Sequence, residues 1–476
     1  MNITKRVRAA WQALKGKASA YDSAGSGRRL QRWIPPQGSM NSLLLGDLAT
    51  LQNRSRDAAR NNPYAANILD VLTANAVGTG IKPQSLSAQK EAIDALWMAW
   101  TDEADWEGLH DFYGLQSLIL QSVIESGECF VRFKINRKNK TVPLQLQVLE
   151  SEFLENTTTW LPNGNRIVGG VELDSQGRRV AYHLHKHYPG DEGFEAQETV
   201  RIASKDILHI FKPLHPGQVR GEPWLARVLL KLHELDQYDD AELIRKKTSA
   251  MFAGFITRLD PELSMMGEGD ANEQGQAFAG LEPGTMQFLE PGEDVKFSSP
   301  SDVGANYEPF MRQQLRSIAV GMGITYEQLT GDLSSVNYSS MRAGLVEFRR
   351  RIGMIQHHLM VYQLCRPVWN RWFELAQLTN HLPFEATPEV KWIPQGFEWV
   401  DPLKDLKSQI LAIQSGLKSR AEVVSELGYD VEEIDREIAA DREREQKLGL
   451  NFSALNQVGI PSFQGASAEN TQEESE

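Results

Sequence analysis

Three histidines at alternate positions, His183, His185 and His187, are the strongest invitation to metal chemistry in this sequence. Alternate side chains of a β-strand share one face, so this spacing would gather three imidazoles. A zinc or transition-metal site also needs a supporting carboxylate or thiolate pattern, and none accompanies them. An exposed polar strand face explains the triplet better. His357 and His358 are consecutive, and on a helix such neighbours diverge instead of chelating as an i, i+4 pair would. A metal-dependent nuclease would therefore have only residues 183–187 to stand on.

Other chemistries leave fewer traces. No Gly-x-x-x-x-Gly-Lys-Ser/Thr pattern cradles a nucleotide phosphate, so the chain is not expected to be a motor. Gly78-Thr79-Gly80 follows a helical pattern and reads as a helix stop, not as a dinucleotide turn between strand and helix. No Gly-x-Ser-x-Gly elbow occurs, and acidic pairs such as Glu432-Glu433 belong to a charged helical run. Trp369, Trp372, Trp392 and Trp399 could line a sugar cleft, but their positions suit core anchors or subunit contacts. Cys129 and Cys365 are too few and too distant for a disulfide framework or a zinc site, and both are expected to be buried. No catalytic residue, metal or cofactor is assigned.

The elements that position these residues follow from periodicity. Residues before 43 are rich in Gly, Ser and Pro and predict a flexible arm. Two helices meet at Asn61-Asn62-Pro63, where Asn62 can cap the second and Pro63 suits its first position. Ile68, Leu69, Val71 and Leu72 give that helix its apolar face, and Gly78 closes it. Residues 88–102, with Trp97 and Trp100, and 114–125 predict another helical pair. From residue 128 the period becomes two, with Cys129, Val131, Phe133 and Ile135 opposed to Arg132, Lys134 and Asn136, a half-buried strand. Further strand-like runs occupy 144–148, 167–173, 179–186 and 207–211.

Beyond Pro223 a long amphipathic helix, expected to reach about residue 252, carries Trp224, Val228, Leu232 and Leu235 on one stripe. A Gly- and Glu-rich segment, 254–309, predicts a projecting β/α insert with short strands at 254–259 and 286–289. A second helix, 310–323, aligns Met311, Leu315, Ile318, Ala319 and Met322, and can pair with the first. The polar loop 330–340 leads into a long helix with Met341, Leu345, Phe348, Ile352, Ile355 and Leu359 inward, ending or kinking near Pro367. Asp401-Pro402-Leu403 opens a last helical run to about 448. The class is α+β, mostly helical.

A length of 476 residues predicts about three lobes. At 41% hydrophobic and 24% charged, the chain can bury a large core in water. No apolar run is long enough to span a bilayer, and the start lacks a secretory stretch, so the expectation is a cytoplasmic protein with no membrane contact. Net charge is −13, which disfavours tight wrapping of a phosphate backbone. The ends differ: Lys5, Arg6, Arg8, Lys15 and Lys17 make the first basic, and Glu469, Glu473, Glu474 and Glu476 make the last acidic.

Several short pieces, in this order and spacing, are similar to the lambda-like family of tailed-phage portal proteins over roughly residues 43–450. They are Arg54-Ser55-Arg56-Asp57, Arg60-Asn61-Asn62, Val77-Gly78-Thr79-Gly80, Gly127-Glu128-Cys129-Phe130 and Gly221-Glu222-Pro223-Trp224-Leu225. Leu281-Glu282-Pro283-Gly284, Leu315-Arg316-Ser317-Ile318-Ala319, Tyr326-Glu327, Thr330-Gly331-Asp332, Asn337-Tyr338-Ser339-Ser340 and Asp401-Pro402 complete the series.

The resemblance implies a homo-oligomeric ring, commonly of roughly twelve copies, with wing, stem, clip and crown regions. Carried onto this chain, it implies an arm at 1–42, wing at 43–222, stem helices at 223–253 and 310–329 around a clip at 254–309, and a tunnel loop at 330–340. A long wing helix and return would occupy 341–400, crown helices 401–450 and a tail 451–476. It also implies a virion component at the capsid vertex, assembled in the bacterial cytoplasm. Partners would be double-stranded DNA without sequence preference, terminase, the major capsid or scaffold protein, and head-completion or tail-adaptor proteins. Within the loop, Asp332, Ser334, Ser335, Asn337, Tyr338 and Ser339 are expected to line the narrowest point of the channel. A neck or tail adaptor ring is the alternative reading.

Overall fold

The computed structural model describes residues 34–189, 198–250, 254–258, 293–297, 306–334 and 337–450. The helical opening follows the sequence signals closely. Ser39 caps α1 (Met40–Asn61), accepting from the Ser42 amide. The Asn62 side chain then caps α2 (Pro63–Ala76), accepting from the amides of Tyr64 at 3.0 Å and Ala65 at 3.1 Å. Pro63 stands where a missing N–H loses nothing, and Gly78 just past the end holds φ +53°. After β1 (Lys82–Ser85) come α3 (Lys90–Thr101) and α4 (Phe112–Ser126), the latter stopped by Gly127 at φ +90°.

The strand β2 (Glu128–Ile135) departs from the half-buried expectation. Glu128, Cys129, Phe130 and Val131 are all buried, whereas Ile135 is 50% exposed. The first half of β2 lies between two cores: Cys129 and Val131 belong to the principal cluster and Phe130 to a second. After β3 (Leu144–Leu149), a five-stranded antiparallel sheet forms in chain order from β4 (Thr159–Trp160), β5 (Arg166–Val168), β6 (Val171–Leu173), β7 (Arg179–His185) and β8 (Thr199–Ala203). The expected single run at 167–173 is thus a hairpin, turned at Gly169 and Gly170, which hold φ +53° and +82°. The pattern gave no sign of β4, which is two exposed residues, or of β8, which is short and buries Ile202 alone. The strand β9 (Ile207–Phe211) joins β2 and β3 in the antiparallel order β3-β2-β9.

A 3₁₀ turn, Trp224–Arg227, precedes α5 (Leu229–Ala250). The strands β10 (Gly254–Arg258) and β11 (Glu293–Phe297) pair antiparallel. The expected strand at 286–289, the arm before 34 and the tail after 450 lie outside the described residues. Then follow α6 (Tyr307–Met322), α7 (Tyr326–Thr330) and α8 (Tyr338–Met354). The helix does not end at Pro367. The chain passes through a π-helical stretch, Ile355–Cys365, directly into α9 (Arg366–Leu378), with Pro367 in its first turn. A proline ring crowds the carbonyl four residues back, and a wider turn ahead of it relieves that crowding.

The strand β12 (Val390–Ile393) returns to pair with β1. Three helices, α10 (Pro402–Gln414), α11 (Arg420–Glu426) and α12 (Val431–Leu448), replace the single closing run. Gly416 and Gly428, at φ +69° and +86°, make the turns between them.

The principal core centres on four tryptophans from two distant segments. The Trp97 ring lies 4.8 Å from Trp100, 4.9 Å from Trp369 and 5.0 Å from Trp372, centroid to centroid. Core anchoring, not a sugar cleft, is what Trp369 and Trp372 do, and both cysteines are buried as expected. No described helix is long and apolar enough to cross a membrane.

Candidate channel loop and strut pair

The stripe read from the sequence on α5 and α6 is their shared face. Val228, Leu232 and Leu235 and, opposite them, Met311, Leu315 and Ile318 are all buried in the principal core. Trp224 is the exception. It belongs to the 3₁₀ turn ahead of α5 and is only partly buried, with the Lys212 ammonium 4.9 Å from its ring centre. Glu222-Pro223 forces an extended approach, so the helix cannot start until the chain has turned. Farther along, Lys231 donates to the Ser317 hydroxyl at 2.7 Å, Tyr307 donates to Asp239, and Tyr238 packs on Tyr307 and Phe310 with centroids 6.1 and 4.9 Å away.

The loop that follows α6 is shorter than 330–340. Thr325 and Gln328 form a reciprocal capping box that makes α7, and Gly331 ends it at φ +70°. Asn67 of α2 clamps this small helix from below, its amide donating to the Gln328 and Leu329 carbonyls at 2.8 and 2.9 Å. The Asp332 carboxylate accepts from the Ser334 amide at 3.0 Å and hydroxyl at 2.6 Å, and from the Tyr326 hydroxyl at 3.3 Å. The Ser334 hydroxyl, first among these, holds the Asp332 pKa below the usual aspartate value. Asn337 caps α8, accepting from the Ser340 amide at 2.9 Å, so Tyr338 and Ser339 belong to the first turn of a helix and not to the loop. Ser335 and the side chains of Tyr338 and Ser339 lie outside what is described. The connector therefore presents an anionic, locally hydrogen-bonded turn at Asp332–Ser334 between two capped helices.

The quoted motif pieces are brought together, though chiefly to hold the fold. Gly127 and Gly221 meet backbone to backbone: a methyl on Gly127 would lie 2.4 Å from the Glu222 carbonyl carbon, and one on Gly221 2.1 Å from the Gly127 oxygen. Beside this crossing, the fully buried Glu128 carboxylate receives Arg220 Nε at 2.6 Å, the Gly221 amide at 2.7 Å and His209 Nε2 at 2.9 Å. Burial opposes its charge, but Arg220 and His209 outweigh that and leave its pKa at about 2. Burial lowers His209 to about 4, so the ring is neutral at pH 7 and its Nε2–H donates to Glu128. Arg220 also donates to the Gly169 carbonyl at 2.9 Å, joining the five-stranded sheet to β2.

Two other pieces behave alike. A methyl on Gly78 would collide with the Gln395 side chain, which accepts from the Thr79 amide at 2.8 Å. Arg56 reaches Glu152, and Ser55 donates to the Glu125 carbonyl at 2.5 Å. Arg220, His209 and Gln395 escaped the sequence reading, because a lone polar residue carries no local sign that it will be buried with a partner far along the chain.

The histidine triplet does not gather a metal shell. His183 and His185 are on β7, but His187 lies past its end. His183 is 3.1 Å from the buried Glu172 carboxylate, which also receives Arg201 Nε at 2.7 Å and Asn165 at 2.7 Å. Among the described residues no group of three or more His, Cys, Asp or Glu side chains is arranged to hold a metal ion.

The sequence model of the lambda family of phage portal proteins matches residues 26–356. The chain belongs to that family. Its function is that of a phage portal. The probable portal protein of Halomonas phage phiHAP-1 is 29% identical, over 87% of this chain and 84% of its own length. Portal protein B of Escherichia phage lambda is 23% identical over 96% and 95% of the two chains. Among solved structures, a chain in the neck of an empty gene transfer agent particle is similar at 17% identity, with a TM-score of 0.48, covering 80% of this chain and 93% of that one. A portal protein of the HK97 family from Corynebacterium diphtheriae gives 9% identity and a TM-score of 0.35, over 74% and 98%.

Proposed function

We propose that copies of this portal protein close into a ring at one capsid vertex and that double-stranded DNA passes through it during packaging and ejection. The reading is supported by family membership and carried by one geometric feature: two apolar-faced struts, α5 and α6, followed by a capped, anionic, polar connector between α7 and α8. A head-to-tail contact repeated about an axis closes when its rotation divides a full turn, and roughly twelve copies is the number proposed. Regions follow the expected division: wing at 43–222, stem at 223–253 and 310–329, clip at 254–309, crown at 401–450.

The connector around Asp332, Ser334, Ser335 and Asn337, with Tyr338 and Ser339 on the adjoining helical turn, is the proposed contact with the duplex. A wall that neutralised phosphates would release counterions and hold DNA firmly. An Asp332 carboxylate kept ionised by Ser334 instead repels the backbone and lets it glide. The role is structural and not catalytic; terminase, the capsid or scaffold protein and head-completion or adaptor proteins are the proposed partners, in a virion assembled in the host cytoplasm.

The test is mass measurement with class-averaged electron microscopy of the purified chain. Twelve copies of 53.5 kDa give about 640 kDa with an axial opening. A protein that stays monomeric under capsid-assembly conditions, or a particle without an opening, defeats the reading.

A further inference from the structure

Lys212 and Arg227 line one small recess with Glu222, Trp224 and Gly321, where the 3₁₀ turn before α5 meets the end of α6. Arg351 of α8 closes in from a third side: a methyl on Gly323 would stand 2.5 Å from its Nη1. Among the described residues none of these three cations has an ion pair, and Glu222 pairs with none of them. They are near enough to act on one another, since burial first and then Arg227 and Arg351 lower the Lys212 pKa. The Trp224 indole nitrogen is buried and has no hydrogen-bond partner among the described residues. Like charges crowded around a recess repel, and a protein of net charge −13 has ample carboxylates that could have neutralised them. All three cations are exposed, so within one protomer water solvates them, and they are open to a partner.

Farther along the same strut stands the opposite pattern. Asp236 and Asp240 are exposed at i, i+4 on α5, neither has an ion pair among the described residues, and Ile244, one turn on, is 63% exposed. The cationic recess is bordered in the same way: Leu230, a turn from Arg227, is 73% exposed, and Val320, beside Gly321, is 76% exposed. Each patch therefore combines charge with uncovered apolar surface, the signature of a protein contact. A phosphate backbone would satisfy the cations but leave Leu230 and Val320 in water.

We infer that the two patches are the halves of one contact, the Asp236–Asp240 ridge of one copy entering the Lys212–Arg227–Arg351 recess of a second copy. In the ring proposed above, on which this contact depends, it is a heterologous joint: Arg227 and Asp236 are about 14 Å apart along the strut, so adjacent struts meet with an offset of that order. The unpaired cations gain carboxylate partners, and Leu230, Val320 and Ile244 are covered.

Charge reversal in the full chain tests it. Arg227→Glu and Asp236→Lys should each weaken self-association about tenfold or more, read by light scattering across a concentration series, and the double variant should recover most of the loss. Arg227→Gln should give a smaller loss in the same direction, and an Arg227→Cys, Asp236→Cys pair should cross-link between copies under mild oxidation. Thermal melts establish that the single variants remain folded; if a reversal variant does not fold, the glutamine variant and the cross-link decide. Variants that assemble as the wild type does, or losses that the double variant fails to recover, overturn the contact while leaving the ring intact. So does weaker binding of a short DNA duplex by Arg227→Glu rings of unchanged stability, which assigns the recess to phosphate. A wild-type chain that never assembles removes the ring and this contact together.

Discussion

The α-carbon of Gly221 presses against the carbonyl of Gly127 so closely that an added methyl would lie 2.1 Å from its oxygen. Gly127 also closes α4 at φ +90°, where its own methyl would meet the Glu222 backbone. Neither clash can be relieved by moving a flexible side chain. Gly127→Ala is expected to cost about 3 kcal/mol or more, combining a left-handed backbone with overpacking, and Gly221→Ala about 1–3 kcal/mol. Denaturant unfolding midpoints check both, and wild-type values would contradict the crossing.

Acid should loosen the joint between β2 and the five-stranded sheet. His209 titrates near 4 when folded and near 6.5 when unfolded, so the unfolded chain takes up a proton first and stability falls from pH 6.5 towards 4. Glu128, depressed to about 2, adds a loss in the same direction from about pH 4.5 down to 2. His209→Gln should flatten the upper part of the profile. Glu128→Gln should cost about 3–5 kcal/mol at pH 7 by stranding buried Arg220. Unfolding free energy measured from about pH 2 to 8 covers both windows, and the two variants tell them apart.

Removing Trp97 should damage the core more than removing any one exposed aromatic residue. Its ring touches Trp100, Phe112, Trp369 and Trp372, and it is 1% exposed. Trp97→Ala is expected to cost about 3–5 kcal/mol and to reduce the near-ultraviolet circular dichroism that coupled indoles produce. Trp160, which is exposed, supplies the control: Trp160→Ala should stay within about 0.5 kcal/mol of wild type.

Shortening the connector between Gly331 and Asn337 should leave assembly intact but impair retention or packaging of DNA. Asp332→Lys should act in the same direction by making the turn attractive to phosphate, with an effect that shrinks as salt rises. Genome content of particles carrying each variant is the measurement. Full heads from both would remove the proposed duplex contact.

What the sequence determined by itself was local. Asn62 before Pro63, Gly78 after α2, Asp401 before Pro402 and the Leu232/Leu315 stripes are set by hydrogen bonds and side-chain periods spanning a few residues, and the elements they define were legible. The motif order also identified the family. Tertiary structure decided the rest. It divided 167–173 at two glycines, carried the helix through Pro367 on widened turns, and moved Tyr338 and Ser339 out of the loop. It also buried Glu128 among Arg220, His209 and the Gly221 amide. The Glu128 cluster depends on partners 81 to 93 residues away, whose approach is fixed only when two cores pack on opposite sides of one strand. No short window of sequence contains that information.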